Sequence, residues 1–355
     1  MNLNEIGSEF WNNSTPCDSS GFKFNMKGYK YLEVLSGRTA LDLIVKDILL
    51  RKTNKKVYLP SYCCHTMIVP FVSNGVSVEF YDVFFRDGQL RLNFDIDNDC
   101  DVVFFIDYFG FNYFDLAPII DCQHQKGKFV IFDVTHSVFN DFYNENVDYF
   151  FASYRKWLNV NLAFCAKRGD FLYEIKLHPY LEYINLRNCA FQLKEKFLLG
   201  ENVKKDDFRD CFFNAEAILE NNYQFAAGDK NSSLLISKVS VHQLKAKRCR
   251  NAEFLIKNMK LIDTDKIRLI FSELKEGNCP LFVPLFVKER DKLKSYLIKN
   301  NIYCPTHWEI SDFHHLSALS QEIYGHEISI ICDQRYEDKH MRRIVNCIKE
   351  FCDNE

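Results

Sequence analysis

The run KFVIFDVTHSVFNDFYNENVDYFFASYRKW, residues 128–157, decides how the rest of the chain is read. Phe129–Phe132 is a short continuous apolar run, the sign of a strand buried on both faces, and Asp133 ends it. A carboxylate is costly to bury there. The cost falls if it points into the crevice at the carboxyl end of a parallel strand, where open α/β sheets bind ligands and a bound cation offsets the desolvation. Val147–Ala152 repeats the apolar run, and Lys156 follows just past its end. The spacing predicts an acid and an amine, 156 − 133 = 23 residues apart, facing one crevice.

That pairing suits pyridoxal 5'-phosphate (PLP) chemistry. A lysine amine holds the aldehyde as a Schiff base, and an aspartate keeps the pyridine nitrogen protonated, so that the ring becomes an electron sink. For either residue alone, a buried salt-bridged Asp or a surface Lys is the more ordinary explanation. A second motif shifts the balance. Ser36-Gly37-Arg38-Thr39 opens a helix over about Thr39–Leu50, with Leu41, Ile44 and Ile48 at i, i+3 and i+7. Glycine for close approach and free amides at a helix N-terminus make a phosphate cradle, although S-G-x-T is also an ordinary capping pattern.

These motifs resemble the DegT/StrS family of sugar aminotransferases, in PLP fold type I. FDVTH matches that family's acid motif at Asp133 and His136, and its Schiff-base lysine falls on Lys156. The resemblance implies that the Ser-Gly-x-Thr amides and hydroxyl hold the PLP phosphate, with Arg38 standing where the family has a small residue. It also implies that His136 bonds the cofactor's phenolic oxygen, where a buried structural histidine is the alternative. The turn after Pro60-Ser61 usually supplies a ring that stacks on the pyridine, and here Cys64, followed by His65, occupies that place. A buried thiol at a helix start is the alternative for Cys64. The family's phosphate serine lies five residues before the lysine, where this chain has Phe151, so Ser153, three before, is a substitute. CPTHW (304–308) and CDQRY (332–336) resemble the C-terminal signatures, with His307 and Trp308 at the substrate mouth or in a structural turn. Lysine rather than histidine at 156 separates transamination from the family's dehydratase branch. Glutamate as donor, a nucleotide-linked keto sugar as acceptor, a role in amino-sugar or surface-polysaccharide synthesis, and a homodimer are what the resemblance implies.

Composition is consistent with a soluble enzyme. With 355 residues the chain can bury a large core and exceeds a usual single domain. The 45 basic and 48 acidic residues give a formal charge of -3, which offers no field for nucleic acid or an anionic membrane. No apolar run is long enough to span a bilayer and the N-terminus lacks a secretory pattern, so a cytoplasmic protein is expected. The 14 cysteines include no C-x-x-C pair, so buried reduced thiols are expected rather than zinc or a disulfide framework. No metal is called for.

Strand, helix, strand, helix from Val57 to Lys167 predicts a mainly parallel, helix-covered sheet, an α/β large domain over residues 1–240, with an arm carrying Phe10, Trp11, Phe22 and Phe24. Residues 228–255 resemble the long helix on which that family builds its dimer, and Ser232–Leu255 is expected as a dimer contact, with internal core as the alternative for its apolar positions. Residues 241–355 then form a smaller α+β domain, where Pro280 and Pro284 mark an edge or irregular strand. Two readings compete with transamination: a PLP lyase or desulfurase supported only by Cys63-Cys64, and a cofactor-free scaffold of the same fold.

Overall fold

A computed structural model describes residues 5–12, 15–18, 21–22, 26–51, 55–141, 144–262 and 265–354; Phe24 of the arm lies outside these. The described residues fall into two compact units. The first comprises those of Glu9–Arg51 and Tyr149–Gln243, the second those of Glu5–Ser8, Lys52–Asp148 and Leu244–Glu355. The chain passes from the first unit to the second between Gln243 and Leu244, and residues 52–148 group with the C-terminal part by packing.

In the second unit, Phe129–Asp133, Val102–Ile106, Lys56–Pro60 and Ser77–Arg86 lie side by side in that order, all parallel. Their near-continuous apolar composition follows from burial on both faces, and all five residues of Val102–Ile106 are buried. The helices His65–Ser73 and Ala117–Gln125 connect successive parallel strands. Gln89–Asn93 then turns back antiparallel on Ser77–Arg86, through Asp87 (φ 54) and Gly88 (φ 75). Two successive positive φ values give the turn that matches strand twist, and Asp-Gly is a favoured pair for it.

The C-terminal part of this unit has a three-stranded antiparallel sheet, Ile267–Leu269, Phe282–Val287 and Glu327–Ile331, with helices Arg290–Lys299 and Asp338–Asn354. Of the edge or irregular strand expected here, the edge is corrected. Pro284 lies in the middle strand, not at an edge. Its carbonyl accepts from Ile270 N at 3.1 Å, just past the end of Ile267–Leu269, so its missing N–H faces the side where that neighbour has stopped pairing.

In the first unit, Tyr149–Ser153, Ala163–Arg168 and Tyr29–Val34 form an antiparallel ribbon, extended by the two-residue strand Ala226–Ala227. The helix Gly37–Leu49 follows Tyr29–Val34 directly, and two long helices, Leu181–Leu198 and Lys205–Asn222, make a hairpin. The single helix expected over 228–255 is two, Lys230–Ile236 and Val241–Met259. At the break the backbone finds partners in the N-terminal segment instead: Asp18 N donates to Lys238 O, Ser240 N donates to Pro16 O, and Cys17 bridges Val239. No helix among the described residues is long and apolar enough to cross a membrane.

Candidate active site

The first unit carries the cradle and the lysine. Ser36 adopts an extended conformation ahead of Gly37–Leu49, and its side chain caps the helix by accepting from Thr39 N at 3.1 Å. Thr39 Oγ1 donates to Tyr223 O at 2.6 Å, so this hydroxyl is tied to the protein. The amides of Gly37 and Arg38 have no acceptor among the described residues and sit at the positive end of the helix dipole. A Cβ built on Gly37 would lie 3.6 Å from Ser153 Cβ and 3.8 Å from the Phe151 ring, so Ser153 borders the glycine. Arg38 contributes its amide only. Its guanidinium turns away, 5.3 Å above the Tyr223 ring, and pairs with Glu220 at 3.1 Å.

Lys156 ends the single 3-10 turn Tyr154–Lys156, which follows the buried strand Tyr149–Ser153, and it is exposed. Its neighbour Arg155 is anchored, donating to Glu216 Oε1 at 2.6 Å. The buried Arg187 reaches the same oxygen at 3.2 Å and donates to Asn161 Oδ1 at 3.0 Å. Partial burial works against the Glu216 anion, but Arg155 and Arg187 outweigh it, and its carboxyl is held down at about 2. Neither Arg187 nor Glu216 was legible as a site residue, since each is defined by partners in other elements.

The second unit carries the acid and the rings. Asp133 closes Phe129–Asp133, is 1% exposed, and accepts from Thr135 N at 2.7 Å. His136 Nδ1 accepts from Phe109 N at 3.3 Å, which leaves the proton of a neutral ring on Nε2. The His136 ring stacks on Trp308 (5.6 Å, 25°) and meets His307 edge-on at 5.4 Å. Gly110 makes the turn beneath them possible. Its φ is +81, and a Cβ there would fall 2.8 Å from His136 O and 2.1 Å from Cys279 O.

Behind His307 lies a buried acid. Glu327 Oε2 accepts from His307 N at 2.6 Å and Oε1 accepts from Ser329 Oγ at 2.6 Å, while His307 Nδ1 is 2.9 Å from the same hydroxyl. Burial pushes the Glu327 carboxyl up to about 8. An acid opening the short buried run EISII, in which Ser329 is the only other polar residue, is the sequence signal for it. Tyr62 is fully buried beside Trp308, at 5.0 Å between ring centroids, and its hydroxyl has no partner among the described residues.

Cys64 is the N-terminal residue before His65–Ser73. Burial opposes its thiolate, yet Thr66 Oγ1 donates to its sulfur at 3.2 Å and His65 Nδ1 lies 4.0 Å away, and together they bring the thiol down to about 7. Cys63, next in the chain, is fully buried and its thiol stands well above the ordinary range. No cluster of three or more His, Cys, Asp or Glu suited to a metal occurs among the described residues.

The architecture is that of PLP fold type I. Among solved structures, the chain is similar to the aminotransferase TlmJ from Streptoalloteichus hindustanus, with 13% identity and a TM-score of 0.63 over 90% of this chain and 85% of that one. It is similar to Helicobacter pylori PseC, an aminotransferase of pseudoaminic acid biosynthesis (11%, TM-score 0.65, 92% and 87%). It is also similar to NtdA from Bacillus subtilis, solved with bound cofactor PMP (12%, TM-score 0.61, 90% and 72%). At these identities the likeness shows the fold. No protein-family model and no curated protein sequence matches the chain.

Proposed function

We propose that the chain is a PLP-dependent aminotransferase of the DegT/StrS type that places an amino group on a keto sugar. The observation that carries this reading is the cradle at Gly37: two amides with no acceptor among the described residues at a helix N-terminus, bordered by Ser153, in the unit whose strand end bears Lys156. This donor set fits the cofactor in kind, with amides and a hydroxyl for a phosphate, an amine for an aldehyde, and a carboxyl, Asp133, for a protonated ring nitrogen. PLP, when bound, supplies the electron sink that makes a substrate C–H acidic.

The protein's residues divide the remaining work. The Gly37 and Arg38 amides with Ser153 would hold the phosphate, and the Asp133 carboxyl would face the ring N–H. His136 would donate from Nε2 to the ring oxygen, while Cys64 and His65 would stand in for the usual stacking ring. Lys156 Nζ would hold the cofactor's aldehyde and would move a proton to and from the amino-bearing carbon of the substrate. His307 and Trp308 line the substrate side. A glutamate donor, a nucleotide-linked acceptor in amino-sugar or polysaccharide synthesis, a cytoplasmic setting and a homodimer complete the proposal, and they rest on the sequence resemblance.

The test is direct. Protein incubated with PLP should absorb in the visible range, lose that colour on borohydride, and carry the cofactor on one peptide containing Lys156. Label on another lysine sinks the assignment, and no label at all favours a scaffold. The Cys64 thiol is the one observation that favours a lyase or desulfurase, a reading that sulfide release from cysteine, without 2-oxoglutarate formation from glutamate, would select.

A further inference from the structure

The hairpin of Leu181–Leu198 and Lys205–Asn222 is held by contacts that run antiparallel. Arg187 meets Glu216 at 3.2 Å, the Phe191 and Phe212 rings are 5.6 Å apart, and the Phe197 and Phe208 rings 5.5 Å. Cys189 and Cys211, one from each helix, fall within this register, and their thiols are hydrogen-bonded to each other. The two differ in access. Cys211 packs against the core of Ala190, Phe191, Phe208 and Phe212, whereas Cys189 is exposed. An outer thiol open to reagents and an inner one in contact with it are the two partners that disulfide closure needs.

We propose that Cys189 and Cys211 form a reversible redox staple across this hairpin, closed by a low-molecular-weight disulfide of the glutathione type. The Cys189 thiolate attacks the reagent's S–S bond and forms a mixed disulfide, releasing one small thiol. The Cys211 thiolate then attacks the Cys189 sulfur, and the second small thiol leaves. Two cysteine thiols are oxidised to one disulfide, one reagent disulfide is reduced to two thiols, and the two cysteine protons end on those thiols. The staple joins the helices that carry Arg187 and Glu216, and so stiffens the anchor of Arg155 beside Lys156.

The experiment uses the full chain incubated with oxidised glutathione, followed by alkylation of remaining thiols, proteolysis and mass spectrometry. The expected product is a Cys189–Cys211 cross-linked peptide pair, reversed by dithiothreitol. Closing a loop of 211 − 189 = 22 residues should raise the melting temperature by on the order of 5 °C. Cys211→Ser should stop at a glutathione adduct on Cys189. Glutathione adducts on both cysteines without a cross-link, or Cys189 joined to a different cysteine, would overturn the proposal.

Discussion

Two glutamates, one in each unit, show two ways of keeping polar groups in a folded interior. Glu216, with a side chain 46% exposed, sits between Arg155 and Arg187 and is held at about 2. Glu327, with none of its side chain exposed, accepts from His307 N and Ser329 Oγ, and burial outweighs these bonds and the nearby Arg290 and Lys294, so that it is raised to about 8. The first is neutralised by opposite charge, the second by keeping its proton. A cluster of the first kind is indifferent to pH near neutrality. One of the second kind responds to it, and this is the cluster into which His136, His307 and Trp308 are packed.

The largest effects are expected at the two residues that the proposed chemistry uses most directly. Lys156→Ala should abolish cofactor colour and transamination while far-UV circular dichroism stays unchanged, because the side chain is exposed and contributes little packing. Asp133→Asn should still bind the cofactor but slow turnover by about 10³-fold or more, the scale of losing charge stabilisation in a site. Near wild-type turnover in Asp133→Asn would show that the buried acid is structural, like Glu327.

Removing the charge-paired glutamate should cost stability. Glu216→Ala leaves the 2%-exposed Arg187 without one carboxylate, and the expected loss is about 3 kcal/mol in chemical denaturation, toward the low end for a buried pair because Glu216 is partly solvated. The loss should be nearly constant from pH 5 to 9. A loss that fades over this range would mean that Arg155 and Arg187 find other partners.

The proton-keeping glutamate should behave in the opposite way. Its ordinary value is 4.5 and its folded value about 8, so across that window the native state holds more protons than the unfolded chain. Stability from this group is therefore complete below the lower value and is lost as pH rises toward the upper one. Glu327→Gln keeps an oxygen for His307 N and cannot ionise. Its stability relative to wild type should improve between pH 5 and pH 8.5 by on the order of 4 kcal/mol. Asp107, also raised by burial to about 6, contributes to both proteins and cancels in the comparison. An unchanged difference across the range would show that Glu327 is already ionised at neutral pH.

The local parts of this picture were legible in the sequence. Continuous apolar runs announced Phe129–Asp133 and Val102–Ile106, and the Ser36 cap announced Gly37–Leu49. The hairpin strand Gln89–Asn93 has a sequence signal as well, since Asp87-Gly88 between apolar stretches marks a turn. What could not be read depends on partners distant in the chain. Arg38 is turned aside by Glu220, 182 residues away, and Arg155 is fixed by Glu216, 61 residues away. The helix break before Val241 exists because residues 16–18 offer it backbone partners. Periodicity records burial of one face, and it carries no mark of such contacts.

The smallest effect concerns Cys63 and Cys64, where the same contrast recurs within one dipeptide. Cys63 is fully buried and its thiol is pushed well up, while contacts from Thr66 and His65 lower Cys64 to about 7 from an ordinary value of 9.0. The thiolate is the reactive form, so iodoacetamide labelling of Cys64 should follow a pH profile with its midpoint near 7, and Cys63 should remain unlabelled in the native protein. His65→Ala should move the midpoint upward by about one unit, roughly 1.4 kcal/mol, leaving Thr66 as the remaining donor. Prior addition of PLP should slow labelling if Cys64 stands where a stacking ring usually does. A profile centred at 9 would mean that the two contacts do not act on this sulfur, and equal rates with and without PLP would place the thiol away from the cofactor.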